Sequence, residues 1–319
     1  MKIKHVLVLG GTGFVGRAFC ERWVRRSNGG HGSVTVPTRQ LQRGRDIQFL
    51  PTVNVVEANV LDDAQLARLV AGHDAVVNLV ARLHGSEAEF HRLHVDLPQR
   101  LAHACRQTGV KRLVHVSALG AAADAPSRYQ RSKAAGEAVL QQAGLDLTLL
   151  RPSVIFGEND NFLNLFARLQ SVFPVMPLGG AEAQLQPVWV DDVAEAIVCA
   201  LDQPEAIGQT YECTGPRVYT LGELVQCAGQ WSGHRRPLLR LPSALAGLQA
   251  LLMEMLPGEP MLSRDNLASL RVPNVATGQL PGLQALGITA APLDTVMPTV
   301  LSGQDWAARL DVLRRGAGR

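Results

Sequence analysis

Short apolar runs alternate with amphipathic stretches through the N-terminal half of the chain. The first run, Val6–Leu9, ends in glycines and leads into the amphipathic stretch Phe14–Arg26. Similar patterns predict further strands at Ser33–Val36, Val53–Val56, Asp74–Val80 and Arg112–Ser117, and helices at Ala64–Ala71 and Phe90–Thr108. Strands that alternate with helices over this length predict an α/β fold with a parallel sheet and right-handed crossovers. In such sheets ligands bind at the carboxyl ends of the strands.

Glycine recurs every third residue where the first predicted strand ends. A side chain there would block the turn, keep a diphosphate from the backbone, or hold the helix and the strand apart. The following helix points its free N–H groups and its positive dipole end at the same place, which stabilises an anion. The stretch predicts a dinucleotide site in a Rossmann-type, doubly wound sheet; a tight turn without a ligand is the alternative. The predicted contact residues are Gly10, Thr12, Gly13, Phe14, Val15 and Gly16.

The residues after the second predicted strand decide which nicotinamide dinucleotide is preferred. An Asp or Glu there would accept hydrogen bonds from a ribose 2′-OH, but this chain has Pro37-Thr38-Arg39. A guanidinium favours a 2′-phosphate instead. The sequence therefore predicts NADP(H) over NAD(H) as the cofactor, with Arg39 as the main determinant; a solvated loop arginine is the alternative.

Two further turns belong to the predicted dinucleotide site. Asn59 and Val60 follow the third strand in a turn that would bind adenine, and Asp62 serves either that site or the next helix as its N-cap. Val80 and Ala81 follow the fourth strand, whose carboxyl end is expected beside the glycine turn.

The second candidate site is the pair Tyr129 and Lys133, four residues apart on a predicted helix. Positions i and i+4 share a helix face, so the ammonium is expected near the phenol. A free phenol titrates near pH 10, and an adjacent ammonium favours phenolate and makes proton exchange with a carbonyl or alcohol feasible. Tyr129 is therefore the candidate acid/base.

These motifs resemble extended or atypical short-chain dehydrogenase/reductases. The resemblance rests on the glycine turn, the Tyr-x-x-x-Lys pair and two later stretches, Leu150–Gly157 and Gln186–Ala194. The segments around Pro260–Leu270, Val272–Val275 and Leu280–Leu283 are similar to those of bacterial relatives of the NADPH-binding accessory subunit (alpha-subcomplex subunit nine) of mitochondrial respiratory complex I.

The resemblance implies roles for several residues. Lys133 would also bond the nicotinamide ribose, and the segment after Arg151, including Pro152 and Val154, would line the nicotinamide. Family members carry paired small hydroxyl residues after the fifth strand, whereas here Ser117 is followed by Ala118. Ser117 is the candidate substitute for the missing hydroxyl that polarises the substrate. The usual acid of the adenine turn is replaced by Asn59.

The length of 319 residues predicts more than one compact unit. Residues 1–155 are expected to form the dinucleotide-binding Rossmann domain, to which residues 186–214 return. Residues 156–319 are expected to form a smaller C-terminal α/β lobe that holds the substrate or a partner.

Two functions of different classes follow, and a third remains open. The first is an NADP(H)-binding reductase-like protein that acts on a carbonyl or alcohol. The second is a non-catalytic NADPH-binding structural or assembly factor of respiratory or quinone metabolism, which Ala118 favours. The third, a sugar-nucleotide epimerase or dehydratase, follows from the superfamily resemblance alone.

Composition excludes other classes of protein. The net charge of +3 without a dominant basic run argues against nucleic acid as a partner. The five cysteines are scattered without a C-x-x-C and predict reduced core thiols in a cytoplasmic protein without a signal peptide. His91, His94 and His103 lack carboxylate or thiol companions and predict surface or packed histidines, so no metal site is expected.

The late stretch Ala244–Leu256 is too short to span a bilayer. It predicts an amphipathic helix with Leu245, Leu248, Leu252 and Met255 on one face. A core or lid helix is the first interpretation. Peripheral contact at the inner face of a membrane is the second.

Overall fold

A seven-stranded parallel sheet forms the centre of the computed structural model, which describes residues 3–26, 32–255 and 262–302. Its strands are β1 (His5–Leu9), β2 (Ser33–Thr38), β3 (Val53–Glu57), β4 (Ala75–Asn78), β5 (Arg112–Val116), β6 (Asp146–Pro152) and β11 (Thr210–Cys213). They lie in the order β11-β6-β5-β4-β1-β2-β3, and every neighbouring pair is parallel. The predicted α/β, Rossmann-type doubly wound sheet is confirmed.

Helices cover both faces of this sheet. They are α1 (Phe14–Arg26), α2 (Asp63–Val70), α3 (Glu87–His91), α4 (Leu97–Thr108), α5 (Arg128–Gln141) and α7 (Val190–Asp202). Side chains alternate across a strand, so Val6 and Val8 of β1 join the apolar cluster under α1 and α7. Leu7 and Leu9 join the cluster under α2 and α4 on the other face. Because β1 is buried on both faces, its sequence is a continuous apolar run.

The order of the strands reverses at β1. The chain leaves β1 for β2 on one side and later returns to β4 on the other. The crossover connections therefore diverge here, which opens a crevice at the carboxyl ends of β1 and β4.

The structure corrects one predicted helix, decides between the two interpretations of Asp62 and defines the start of α7. The stretch Phe90–Thr108 is not one regular helix, because a π-helical turn at Arg92–Asp96 separates α3 from α4. Asp62 is the N-cap of α2 and accepts a hydrogen bond from the Gln65 amide (2.9 Å). Helix α7 has Trp189 as its N-cap, with no side-chain capping bond, and carries Asp191 and Asp192 in its first turn. The Asp192 carboxylate instead accepts a bond from the Ala291 amide (2.8 Å).

A third apolar cluster holds the smaller C-terminal α/β lobe together. Its helices are α6 (Leu163–Val172), α8 (Leu221–Trp231), α9 (Ser243–Glu254), α10 (Arg264–Ser269) and α11 (Leu293–Ser302). Its short strands are β7 (Ile155–Phe156), β8 (Met176–Gly179), β9 (Gln184–Leu185), β10 (Val188–Trp189), β12 (Tyr219–Thr220) and β13 (Leu238–Leu241), paired as β7-β10, β9-β12 and β8-β13. Between these elements, α7 and β11 return to the main sheet; the domain boundaries themselves stay a prediction.

The apolar face of α9 points to solvent. The helix buries Ala246 and Ala250 and leaves Leu245, Leu248, Leu252 and Met255 between 52% and 75% exposed. The interpretation of that face as core is therefore wrong. Among the described residues, no helix is long and apolar enough to cross a membrane. Leu256, Pro257, Trp306 and the arginine-rich C-terminus lie outside the described residues.

Candidate functional site

The glycine turn brings the ends of β1 and β4 into close contact. Gly10 has φ +80°, and a Cβ atom there would lie 3.1 Å from the carbonyl carbon of Leu79 and the amide nitrogen of Val80. A Cβ atom on Gly16 would lie 2.4 Å from Gly11 Cα, inside the turn itself. Both positions therefore require glycine, and the strand ends meet where the sequence predicted.

Backbone donors at the start of α1 face the crevice without partners. The Gly13 amide closes the turn on Gly10 O (3.0 Å), and the Arg17 amide begins the helix on Gly13 O (3.0 Å). Within the part of the chain that the structure describes, the amides of Phe14, Val15 and Gly16 have no acceptor. Three free donors at a positive helix end suit the diphosphate of a dinucleotide.

The Arg39 guanidinium is available to a ligand next to this turn. Its side chain is exposed and forms neither a hydrogen bond nor an ion pair with any described residue. Nearby, Thr38 Oγ1 donates to Gln40 O (3.1 Å) and Arg43 Nε donates to Gln40 Oε1 (3.1 Å), which fixes the loop. In β3, Glu57 pairs in register with Thr38 and is exposed.

The predicted adenine turn is fixed by its own hydrogen bonds. Asn59 Oδ1 accepts from the Leu61 amide (3.1 Å), and the Asn59 amide donates to Gln65 Oε1 (2.9 Å). Asn59 is exposed and Val60 half-buried beside it. The structure therefore assigns Asp62 to the helix cap, and the adenine contacts of Asn59 and Val60 stay a prediction.

Residues at the ends of β4, β5 and β6 line the other half of the crevice. The Val80 amide donates to Asn78 Oδ1 (3.2 Å), with Ala81 next in the chain, and Pro152 O accepts from the Leu119 amide (2.9 Å). The Val154 carbonyl accepts from the Val188 amide (3.0 Å).

Ser117 is a buried polar residue directly after the carboxyl end of β5. Its side chain is 4% exposed, and its hydroxyl has no hydrogen-bond partner in the described chain. A buried hydroxyl rarely stays without a hydrogen bond, so the Ser117 hydroxyl suits a hydrogen bond to a ligand. Ala118, also buried, supplies no second hydroxyl.

Tyr129 and Lys133 lie in the first turns of α5. Ser127 caps the helix by accepting from the Gln130 amide (3.1 Å). Lys133 is 1% exposed, and its Nζ donates to Val116 O (2.8 Å) at the end of β5. The Tyr129 ring packs edge-on against Phe90 and His94, while its hydroxyl bonds to no described residue.

The ionisation of this pair differs from the sequence-based expectation. Burial raises the pKa of Tyr129 to about 12, and the Lys133 ammonium does not offset it. Burial lowers the pKa of Lys133 to about 8, against the opposing charge of Glu137. The phenol is therefore protonated at neutral pH and suits a proton donor better than a proton acceptor.

Two residues of the C-terminal lobe reach the site and were not predicted. The Asp265 carboxylate accepts from the backbone amides of Arg128 (2.7 Å) and Tyr129 (3.0 Å). Asn274 accepts from Ser153 Oγ (2.5 Å) and donates to Leu119 O (3.2 Å). The sequence pattern around Ser263 indicates a capped helix, but no local pattern indicates where that helix docks.

The histidines form no metal centre in the described ranges, where no group of three or more potential ligands occurs. His94 is buried, whereas His91 is exposed and lies 3.0 Å from the Asp96 carboxylate. Cys20, Cys105 and Cys213 are buried free thiols, and Cys199 and Cys227 are partly buried free thiols.

Comparisons with known proteins agree with this geometry. The model of the NAD dependent epimerase/dehydratase family matches residues 6–222. NADH dehydrogenase (ubiquinone) 1 alpha subcomplex subunit 9, mitochondrial, of Mus musculus is 32% identical over 294 residues, covering 90% of this chain and 77% of the relative. The NADH-ubiquinone oxidoreductase 40 kDa subunit, mitochondrial, of Neurospora crassa is 26% identical over 290 residues, covering 90% and 76%.

Solved structures share the fold at low identity. UDP-glucose 4-epimerase of Thermus thermophilus, in complex with NAD, superposes with a TM-score of 0.63 at 22% identity, covering 84% of this chain and 99% of that one. Epimerase Mth375 of Methanothermobacter thermautotrophicus superposes with a TM-score of 0.67 at 17% identity, covering 76% and 80%.

Proposed function

The chain belongs to the NAD dependent epimerase/dehydratase family, and on that premise we propose that it binds NADP(H) and transfers reducing equivalents to a carbonyl compound. The observation that carries the proposal is the set of partnerless donors in the crevice. The amides of Phe14, Val15 and Gly16 suit the diphosphate, and the Arg39 guanidinium suits a 2′-phosphate. The buried Ser117 hydroxyl suits a group at the nicotinamide end.

Arg39 is the residue that separates the two dinucleotides. A guanidinium bonds a phosphate dianion more strongly than a hydroxyl, so Arg39→Ala is expected to weaken NADPH binding by roughly tenfold or more and to leave NADH binding nearly unchanged. Calorimetric titration of the nucleotide-stripped protein measures both affinities. Arg106→Ala is the control, because Arg106 is exposed in the last turn of α4, which leads to the amino ends of the strands and away from the crevice. Equal losses for the two nucleotides would refute the assignment.

The proposed chemistry is reduction of a carbonyl or quinone. NADPH, held by the amides of Phe14, Val15 and Gly16 and by Arg39, would supply a hydride when bound. Tyr129, protonated at neutral pH because burial raises its pKa to about 12, donates its proton to the carbonyl oxygen. The residue as a whole is only half-buried, which allows the proton to be replaced from solvent. Lys133 holds the end of β5 through Val116 O and has further N–H groups to offer a nicotinamide ribose.

A second candidate function is a non-catalytic NADPH-holding factor in a respiratory assembly. Two observations favour it: the similar proteins named as respiratory-chain subunits, and a Tyr129 phenol that Lys133 does not activate. The measurement that separates the two is NADPH consumption with a panel of quinones and small carbonyls. Loss of turnover in Tyr129→Phe with retained NADPH binding supports chemistry. Absence of turnover in the parent protein, together with tight NADPH binding, supports the holding role. The solved epimerases share under 25% identity and support the fold only.

We also propose that the protein resides in the cytoplasm and contacts the inner face of the membrane through α9. Four apolar side chains on its exposed face, those of Leu245, Leu248, Leu252 and Met255, support this proposal. The exposed arginines beside it are ion-paired, Arg240 with Glu182 and Arg264 with Glu254 (2.8 Å each). An exposed apolar helix face suits the boundary of a lipid surface.

A further inference from the structure

A chain of hydrogen bonds joins the loop after β4 to helix α5, and the side chain of His94 is its central link. The backbone amide of Arg82 donates to His94 Nε2 (3.1 Å), and His94 Nδ1 lies 2.8 Å from Ser132 Oγ. Ser132 Oγ donates in turn to the backbone carbonyl of Tyr129 (2.7 Å). One imidazole therefore connects both walls of the crevice.

The chain permits only one form of the imidazole. An amide N–H can only donate, so His94 Nε2 must accept and the ring proton must lie on Nδ1. Nδ1–H then donates to Ser132 Oγ, whose own proton is directed to Tyr129 O. Burial, with a smaller contribution from the charge of Lys133, lowers the pKa of His94 to about 3. The ring is therefore neutral across the physiological range.

The π-helical turn at Arg92–Asp96 puts the imidazole in this place. Such turns are rare and occur frequently at functional sites. Here the backbone of His94 lies so close to α5 that a Cβ atom on Gly136 would be 1.9 Å from His94 O. The ring stacks on Phe90 (5.5 Å between centroids) and meets the Tyr129 ring edge-on (5.6 Å, 81°).

We propose that His94, as the neutral Nδ1–H tautomer, is a positioning residue that sets the distance between Tyr129 and the nucleotide loop, defined as Val80–Arg82. The inference rests on the proposed nucleotide site. A nucleotide that contacts Val80 would move with this loop, so the position of the loop would set the distance between the nicotinamide and the Tyr129 phenol. His94 acts through Arg82 and Ser132 and touches no reacting atom.

The tautomer is tested on the nucleotide-free protein. Ring-nitrogen NMR of protein labelled at histidine, with the His94 resonances assigned by their absence in His94→Gln, is expected to show protonated Nδ1 and no titration between about pH 5 and about pH 8. A ring protonated on Nε2, or one that titrates near the ordinary histidine pKa, overturns the proposal.

Two substitutions test the two hydrogen bonds of the His94 ring separately. Asn places an amide nitrogen where Nδ1 lies, so His94→Asn keeps the bond to Ser132 and loses the acceptor for Arg82. Gln places an amide oxygen where Nε2 lies, so His94→Gln keeps the acceptor for the Arg82 amide and loses the hydrogen bond to Ser132. Amide hydrogen exchange is expected to quicken across residues 80–86 in the first variant and across 128–133 in the second. His91→Asn, at the exposed histidine one turn earlier, is the control for both.

Nucleotide affinity is the functional readout. His94→Asn frees the nucleotide loop and is expected to weaken NADPH binding about tenfold, whereas His94→Gln and His91→Asn stay close to the parent protein. If each variant changes amide exchange equally in residues 80–86 and 128–133, His94 acts only through packing, and the inference is overturned. If the parent protein binds no NADPH, the proposed function fails, while the tautomer and the exchange pattern still decide the role of His94.

Discussion

Lys133, buried on α5, and Tyr129, half-buried one turn earlier, show how desolvation changes the chemistry of a residue. Tyr129 and Lys133 occupy the spacing expected of an acid/base pair, but the amine of Lys133 bonds to Val116 O. Without that amine at the phenol, desolvation dominates and the pKa values of the pair move apart, to about 12 and about 8. Sequence spacing determined which residues share a helix face, and the packing of α5 on β5 decided their protonation.

Lys133 makes the stability of the protein change with pH in the alkaline range. Its pKa falls from 10.5 to about 8 on folding. Between these values the unfolded chain binds more protons than the folded protein, so the free energy of unfolding rises with pH. Relative to Lys133→Met, we expect the parent protein to gain about 2 kcal/mol between about pH 8 and about pH 10. Urea unfolding of both proteins across this range measures the difference; parallel curves would contradict it.

At the scale of elements, helix α5 depends on a carboxylate from far along the chain. Asp265 in α10 binds the amides of Arg128 and Tyr129 across 137 and 136 residues of sequence. These amides belong to the first turn of α5, where the helix has no acceptors of its own. Asp265 therefore joins the C-terminal lobe to the turn that carries Tyr129.

Removing this carboxylate is expected to destabilise α5 where the candidate acid lies. Asp265→Asn keeps the shape of the side chain but turns one oxygen into an amide that faces a backbone N–H. Two charge-assisted bonds are lost or weakened, and we expect about 2 kcal/mol less stability in urea unfolding. The matched control is Asp124→Asn, at an exposed position in the loop before α5 that has no partner among the described residues, where a change within about 0.5 kcal/mol is expected. Similar values for both variants would show that the cap is unimportant.

At the scale of the whole molecule, the buried apolar side chains of the described residues form three clusters, whereas helix α9 leaves an apolar face exposed. The clusters on the two faces of the sheet and the one in the lobe account for the long apolar runs of the sequence. Helix α9 differs because its small residues, Ala246 and Ala250, pack inward. A Cβ atom on Gly179 of β8 would lie 2.4 Å from Ala246 Cβ, so only small side chains fit this contact. The leucines are consequently left outside.

We expect the exposed leucines of α9 to control attachment to lipid. Leu248→Gln and Leu252→Gln remove apolar area from residues that are 52% and 58% exposed. Each is expected to lower binding to phosphatidylglycerol-containing vesicles about tenfold, measured by co-sedimentation. Phe49→Gln is the control, because Phe49 is 76% exposed in the loop before β3 at the far edge of the sheet. The membrane proposal is contradicted if the parent protein does not bind vesicles, or if none of the three substitutions changes vesicle binding.

The sequence by itself determined the parts of this protein that depend on neighbouring residues. Apolar runs specify the strands because a strand buried on both faces tolerates little else. The glycine turn is specified because Gly10 has a left-handed backbone and a side chain at Gly16 would collide with Gly11. The fold class, the glycine turn and the helix that carries Tyr129 and Lys133 were therefore predictable.

Only the tertiary structure decided what distant segments do to one another. His94 bonds Ser132 across 38 residues, Asn274 bonds Ser153 across 121, and Asp265 reaches α5 across 137. None of these contacts has a local pattern, because each depends on which surfaces the sheet and the lobe bring together. The same holds for α9: its periodicity gives an apolar face, but the small contact at Gly179 decides that the alanines turn inward and the leucines outward.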